Sequence, residues 1–237
     1  MTEAEELQYR YYTETAARYD DMHLDPEHAV ALRYIGGLIE MLRISSILDV
    51  GCGTGRGLGW LLRNRRLSAY GIEPVAALLS QGVRGGTLPS ACVAVGRGES
   101  LPFADGAFDA ACSFAVLHHV REPNAVVREM TRVARRAIFI SDSNRFGQGS
   151  DPARLLKLLL SMVKLWGVAN FIKTRGRGYL VSDGDGLAYS YSVFDSYPVL
   201  AEWADRVILV PTAPASGSHW HHPMLTSPSL LVCAVRE

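Results

Sequence analysis

ILDVGCGTG, residues Ile47–Gly55, is the stretch on which the fold turns. Ser46–Val50 (SILDV) is a short apolar run that carries an acid and then meets glycines, which predicts a buried strand. Glycine at 51, 53 and 55 suits a backbone that takes positive φ or lets a ligand approach closely. Thr54–Asn64 then reads as a helix, with Leu58, Trp60, Leu61 and Leu62 apolar. The start of that helix offers unpaired N–H groups to whatever the turn encloses. The dinucleotide fingerprint G-x-G-x-x-G is not met. Counted from Gly51 and Gly53 it needs glycine where Arg56 stands, and counted from Gly53 and Gly55 where Leu58 stands.

Outward from this turn, strand and helix signals alternate. Ser68–Glu73 (SAYGIE) predicts a second strand, and Pro74 opens a second helix to about Leu79. Ala91–Val95 and Ala107–Phe114 predict the third and fourth strands. Asn124–Ala134 predicts a helix, because Val126, Val127, Met130 and Val133 recur at helical spacing. Ala137–Ser141 (AIFIS) predicts the fifth strand. This alternation means βαβ units and a mainly parallel sheet covered on both faces, a doubly wound α/β fold.

After Asp142 the character changes. Ser143–Ser150 reads as a polar loop. Pro152–Trp166 reads as an apolar helix with Arg154, Lys157, Ser161 and Lys164 on one narrow stripe. Residues 174–186 are turn-rich, with glycine at 176, 178, 184 and 186. Asp195–Ala204 predicts a helix, and Arg206–Val210 and Ser229–Val235 the last strands of seven. One domain, 1–237, is expected: a helical segment over 1–44, a ligand-binding core over 45–142, a helical cap inserted after the fifth strand over 143–194, and a closing helix and strands over 195–237.

Composition narrows the class. The chain is 48% apolar and 20% charged, enough apolar side chain to offset ordering, which excludes a disordered chain. Lys plus Arg equals Asp plus Glu at 24 each, so no basic excess marks a nucleic-acid binder. The acidic, polar start MTEAEELQYRYY is unlike a secretory signal. Cys52, Cys92, Cys112 and Cys233 form no C-x-x-C pair and read as reduced thiols of a cytoplasmic protein.

Several spaced motifs together resemble the class I S-adenosylmethionine-dependent methyltransferases, in the small-molecule branch with a Rossmann-like seven-stranded sheet. Asp49–Gly55 (DVGCGTG) is similar to the family's first motif, and Glu73 closes the second strand where the family keeps an acid. Arg97–Phe103 (RGESLPF) and Val116–Val120 (VLHHV) are similar to its segments after the third and fourth strands. The resemblance implies binding of S-adenosyl-L-methionine and release of S-adenosyl-L-homocysteine. It places cofactor contacts at Tyr19, Asp49, Gly51, Cys52, Gly53 and Gly55. Further contacts fall at Glu73, Pro74, Gly98, Glu99, Ser113 and Phe114. Glu73 would accept hydrogen bonds from the ribose hydroxyls, a charge-assisted pair. Asp49 would anchor the methionine ammonium, directly or through a neighbour, and Tyr19 would close over the cofactor carboxylate. An ordinary helix-face aromatic is the plainer reading of Tyr19. Arg97 departs from the pattern: the family keeps an acid there to accept the adenine amino hydrogen, and a guanidinium has no acceptor. Glu99, or the backbone of Gly98 and Glu99, is the expected substitute.

The resemblance implies methyl transfer to a small-molecule acceptor, with oxygen the expected atom. Nitrogen or carbon methylation, or a non-catalytic cofactor-binding partner protein, are the alternatives. The donor is already activated, so alignment supplies most of the catalysis. A hydroxyl acceptor also needs a base, and His118 and His119 follow the fourth strand at the ligand end of the sheet. Adjacent residues are not expected to face one site together, so at most one of them serves. Packing or capping is the plainer role for both. Asp142 and Asn144 are the expected substrate contacts. No metal site is expected: His219-Trp220-His221-His222 lacks a third ligand, and Asp183–Gly186 (DGDG) lacks the rest of a calcium loop and reads as a turn before a YSYSVF strand. Leu155–Trp166 is too short to span a membrane. It is expected to turn its apolar face to the core as a lid, with a dimer interface (hence a homodimer) or a membrane surface as the alternatives.

Overall fold

The computed structural model describes residues 2–22, 26–63, 66–214 and 223–237. Helices α1 (Glu3–Thr15), α2 (Tyr19–Met22) and α3 (Pro26–Met41) precede strand β1 (Ser46–Val50). The core continues through α4 (Arg56–Leu62), β2 (Ser68–Glu73), α5 (Ala76–Arg84), β3 (Val93–Val95), β4 (Phe108–Phe114), α6 (Pro123–Val133) and β5 (Ala134–Ser143). Then come α7 (Asp151–Met162), α8 (Trp166–Lys173), the hairpin β6 (Tyr179–Ser182) and β7 (Gly186–Tyr189), α9 (Val193–Trp203), β8 (Arg206–Pro211), α10 (Pro223–Thr226) and β9 (Ser229–Val235).

The main sheet has seven strands in the order β3-β2-β1-β4-β5-β9-β8. The first five pair in parallel, and β9 runs antiparallel to both neighbours. Alternating side chains feed two cores. Leu48, Ala111 and Ile138 pack with Val126, Val127, Met130 and Val133 of α6 and Leu200 of α9. Their chain neighbours Ile47, Ala110 and Phe139 pack on the opposite face with Ile35 and Ile39 of α3 and Leu58 and Leu61 of α4. The doubly wound, mainly parallel fold expected from the alternation is the one found. β1 reverses order between β2 and β4, which leaves a crevice at the carboxyl ends of these strands.

Several expectations need correction. The second helix starts at Ala76 and runs to Arg84, and β5 extends to both sides of Ala137–Ser141. The long helix over 152–166 is two helices. Lys164 breaks it with φ of 59°, a left-handed conformation that no glycine announced. The segment 174–186 holds the β6–β7 hairpin, with Asp183-Gly184-Asp185 at its tip, and the YSYSVF stretch leads into α9. That helix starts on a capping box made by Ser192 and Asp195.

The largest correction concerns α7, which has no buried residue. Leu155, Leu156 and Leu159 are each more than half exposed, and Met162 is 72% exposed. The polar stripe faces inward. Lys157 Nζ donates to the carbonyls of Arg145 and Gln148, both at 2.9 Å, and the Arg154 side chain is only 11% exposed.

Asp109 locks the base of the sheet. It accepts from Ser45 N at 2.8 Å and Ser45 Oγ at 2.5 Å, and pairs with Arg135 at 2.7 Å. Burial disfavours its charge, but the Ser45 hydrogen bonds and the Arg135 guanidinium outweigh that and hold its pKa at about 2. Its stabilisation is therefore full above about pH 4 and fades as pH falls through about 2. Asp109→Asn should cost about 1–2 kcal/mol at pH 7, and the difference from wild type should shrink toward zero as pH falls below about 2 in urea unfolding. Leu159→Asp should change stability by less than about 0.5 kcal/mol in the same assay, because that side chain points to solvent.

Candidate active site

Three adjoining cavities open at the carboxyl ends of β1, β2 and β4. A cavity of about 170 Å³ is bordered by Gly51, Gly53, Glu73, Gly98 and Phe114. Another of about 210 Å³ is bordered by Asp49, Cys52, Gly53 and Tyr19. The largest, about 590 Å³, lies between the sheet and the cap and is bordered by His118, His119, Asp142, Lys157, Lys173 and Asp185. The first and the largest share five residues: Tyr12, Tyr19, Ala115, His119 and Tyr189. Ala115 borders all three and holds φ of 54°, an unusual conformation for a residue with a Cβ, at the point where β4 breaks into the turn Leu117–His119.

The first motif makes a tight cradle. At Gly51, φ is +77°, and a Cβ there would meet Val116 Cγ2 at 2.4 Å. At Gly53 a Cβ would lie 3.7 Å from the Tyr19 ring. Glu73 is buried and accepts from Gly53 N at 3.1 Å and Val75 N at 2.9 Å. Asp49 is buried too, and its Oδ1 makes no hydrogen bond. Burial pushes each carboxyl up to about 7. An unpartnered buried carboxylate oxygen beside a glycine cradle suits a cationic amine, and Glu73 suits a diol. The residues present therefore fit an aminoacyl nucleoside.

The turn after β4 is pinned from below by Asp142. Its Oδ2 accepts from Val116 N at 3.1 Å and Leu117 N at 2.8 Å, while Oδ1 faces His118 Nδ1 at 2.7 Å. Burial opposes charge on both groups, but their mutual attraction wins. With Asp185 added, His118 rises to about 10, and Asp142 falls below the ordinary carboxylate range. His119 is lowered, first by burial and then by the neighbouring His118 charge. Its Nδ1 lies 2.6 Å from the Leu187 carbonyl, which can only accept, so Nδ1 carries the hydrogen. Nε2 therefore bears the lone pair, 2.9 Å from the Tyr12 hydroxyl.

Residues 48–139 match the family model described as "Methyltransferase domain". Over this core the chain is similar to the S-adenosylmethionine-dependent methyltransferases. Ajmaline N-methyltransferase of Rauvolfia serpentina is 28% identical over 134 residues, 51% of this chain and 46% of that protein. Methyltransferase GfsG of Streptomyces halstedii is 30% identical over 123 residues, 49% of this chain and 44% of that protein. The chain spans less than half the length of the curated relatives it matches. Two solved structures share the fold. One, from Thermotoga maritima, is described as a possible histamine N-methyltransferase, with TM-score 0.60, 14% identity, 97% of this chain and 100% of that one. The other is magnesium protoporphyrin IX methyltransferase from Synechocystis PCC 6803 with bound SAH, with TM-score 0.58, 14% identity, 98% of this chain and 100% of that one.

Of the residues the family resemblance singles out, the structure gathers Tyr19, Gly51, Gly53, Glu73, Pro74, Gly98, Glu99 and Phe114 around one cavity, with Asp49 and Cys52 on the adjoining one. Gly55 and Ser113 border neither. Gly55 is the left-handed N-cap of α4, where a Cβ would strike Leu88 at 2.1 Å, and Ser113 is sealed inside β4. Glu99 is already engaged by Arg97 at 3.1 Å, and Arg97 also reaches Glu5 of α1 at 2.5 Å. Arg97 thus fastens the first helix over the cavity. Asn144 does not border the large cavity. Its Nδ2 donates to Met224 O and Ser227 O, and its Oδ1 accepts from Phe146 N and Ser192 Oγ, so it ties the closing segment instead.

The expectation that only one histidine faces the site is overturned. In a single 3-10 turn both rings border the same cavity, with centroids 3.9 Å apart. Sequence reasoning missed Tyr12, Asp185 and Tyr189. Their placement depends on α1 and the hairpin meeting across the chain, which no local spacing encodes. The segment His219–His222 lies outside the described residues. In a nitrogen-15 NMR titration, His118 should stay protonated to about pH 10, while His119 should titrate below its ordinary 6.5. Reversed assignments would contradict the hydrogen-bond pattern above.

Proposed function

We propose that this protein transfers the methyl group of S-adenosyl-L-methionine to a hydroxyl oxygen of a small polar acceptor held in the large cavity. The observation that carries this reading is the meeting of the cofactor-sized cradle and the large cavity at Tyr12, Tyr19, Ala115, His119 and Tyr189. The cofactor supplies an electrophilic methyl on a positively charged sulfur. In the reading, Glu73 holds the ribose diol, Asp49 takes the ammonium, and Tyr19 covers the amino-acid end.

The acceptor oxygen forms its bond to the methyl carbon as the carbon–sulfur bond breaks, and neutral S-adenosyl-L-homocysteine departs. The hydroxyl proton goes to Nε2 of His119, the imidazole nitrogen at the junction that carries a lone pair. Asp142 acts through the turn, holding His118 and His119 in place. Alignment of oxygen, methyl and sulfur remains the main contribution.

The cap suggests the acceptor's other end. Lys157 and Lys173 border the cavity there, and Lys157 is lowered by burial and then by Lys173, Arg154 and Arg145. Gathered cations of this kind favour an acceptor with a carboxylate or phosphate. A nitrogen acceptor has support in the name of the Rauvolfia relative, an N-methyltransferase. The neutral tautomer of His119 favours oxygen, since an amine that is already unprotonated needs no base.

Methyl-labelled cofactor offered with small hydroxy acids and their neutral esters should label the acids on oxygen. Absence of S-adenosyl-L-homocysteine binding would sink the reading. Glu73→Ala should weaken that binding by about 1.5–3 kcal/mol, roughly 10- to 150-fold by calorimetry. Binding should also release protons near neutrality. Asp49 and Glu73 stand at about 7 before binding, and both an ammonium and hydroxyl donors favour their charged forms. Affinity should therefore rise from pH 6 to pH 8, with a heat that depends on buffer ionisation.

A further inference from the structure

Two imidazoles and a carboxylate converge at the cavity junction. His118 Nε2 stands 3.4 Å from Asp185 Oδ2, and His119 Nε2 stands 3.4 Å from Asp185 Oδ1. One ligand atom from each of the three lies within 4.8 Å of the other two. Two ligands each about 2.0–2.2 Å from a cation, at a tetrahedral angle, sit about 3.4 Å apart. The far nitrogen of each ring is already tied, His118 Nδ1 to Asp142 at 2.7 Å and His119 Nδ1 to the Leu187 carbonyl at 2.6 Å. Such outer bonds fix the tautomer and aim of imidazole ligands and raise their basicity. A simple ion-pair cluster accounts for His118 against Asp185. The second ring's Nε2 accepts from the Tyr12 hydroxyl at 2.9 Å in the metal-free form, and a cation at the centre of the three groups would take that lone pair in its place.

We propose that His118, His119 and Asp185 hold a first-row divalent transition cation whose open side faces the large cavity, with the metal-free His118 imidazolium releasing its Nε2 proton to solvent as the cation binds. Two nitrogens in the set disfavour magnesium and calcium, which prefer oxygen ligands. Three protein ligands with an open position is the pattern of a catalytic rather than a structural site. Asp185 is 43% exposed and borders the large cavity, while the two rings are nearly covered. The cation's role rests on the methyl-transfer reading: it lowers the pKa of an acceptor hydroxyl beside it, which then loses its proton to bulk water before transfer, in place of the His119 lone pair that takes the proton in the metal-free form. Its binding does not depend on that reading.

The test is cobalt(II) titration of chelator-treated full-length protein, followed by visible absorption and calorimetry. One equivalent should bind with the absorption of a nitrogen-ligated site. Asp185→Asn should weaken binding at least ten-fold, while Asp183→Asn, at the same hairpin tip, should leave it unchanged. S-adenosyl-L-homocysteine affinity of each variant reports that the fold is kept. No cobalt binding by wild type overturns the proposal. So does undiminished binding by a folded Asp185→Asn, which would put the cation elsewhere, for instance at His219–His222. Failure of S-adenosyl-L-homocysteine binding alone would overturn the methyl-transfer reading and leave the cation site standing.

Discussion

The backbone of a single residue, Leu187, holds the active-site region together. The N–H of Leu187 donates to Gln8 Oε1 of α1 at 2.5 Å, and its carbonyl accepts from His119 Nδ1 at 2.6 Å. Three segments remote in the chain meet there: the first helix, the turn after β4 and the hairpin β6–β7. Leu187 is buried, so these two hydrogen bonds form away from competing water. Beside it, Gly186 has φ of +66°, and a Cβ there would meet Gln8 Oε1 at 2.7 Å. The close approach of hairpin to helix therefore requires glycine, and that approach is what carries Asp185 to the two histidines.

From that contact the electrostatics of the turn follow. Asp142 is fully enclosed and surrounded by donors, including Ser143 N at 2.6 Å, so it stays ionised. A buried carboxylate calls for a cation, and His118 is the one in reach. Once His118 is charged, a second charge 3.9 Å away between ring centroids is disfavoured, and His119 stays neutral. Two adjacent residues of one type thus acquire opposite protonation, set by which of them faces Asp142 and which faces a carbonyl.

The glycine cradle was legible in the sequence because its information is local. Gly51, Gly53 and Glu73 sit at a strand-following turn and a strand end, and the family resemblance is what joins the acid to the glycines. β1 and β2 were readable for the same reason, as short apolar runs with glycine, proline or charge at their ends. Asp185 was not legible. Asp183-Gly184-Asp185-Gly186 reads correctly as a turn, but only the docking of Leu187 on Gln8 shows what the tip of that turn touches. His118 and His119 were found by position and misjudged in geometry. Adjacent residues point to opposite faces in a strand, yet here they lie in a 3-10 turn after the left-handed Ala115, where successive side chains are about 120° apart and both rings reach one cavity.

The inverted cap shows a more general limit of amphipathic patterns. Arg154, Lys157 and Ser161 of the expected stripe do share one face of α7, whereas Lys164 lies beyond its end, and the expectation puts the apolar remainder on the buried side because apolar faces usually seek the core. Periodicity separates two faces but does not say which of them meets the protein. That is decided by what lies beneath, and beneath α7 lies a cavity bordered by charged and hydroxyl-bearing groups with the carbonyls of Arg145 and Gln148 at its edge. The part-buried carbonyl of Arg145 needs a donor, and Lys157 supplies it. A leucine turned inward at that position would leave that carbonyl unmet in a polar space, a cost that exposure of Leu155 and Leu159 avoids. The orientation of the cap is therefore a consequence of the cavity it covers, and the cavity's polarity is in turn a consequence of the charged turn after β4.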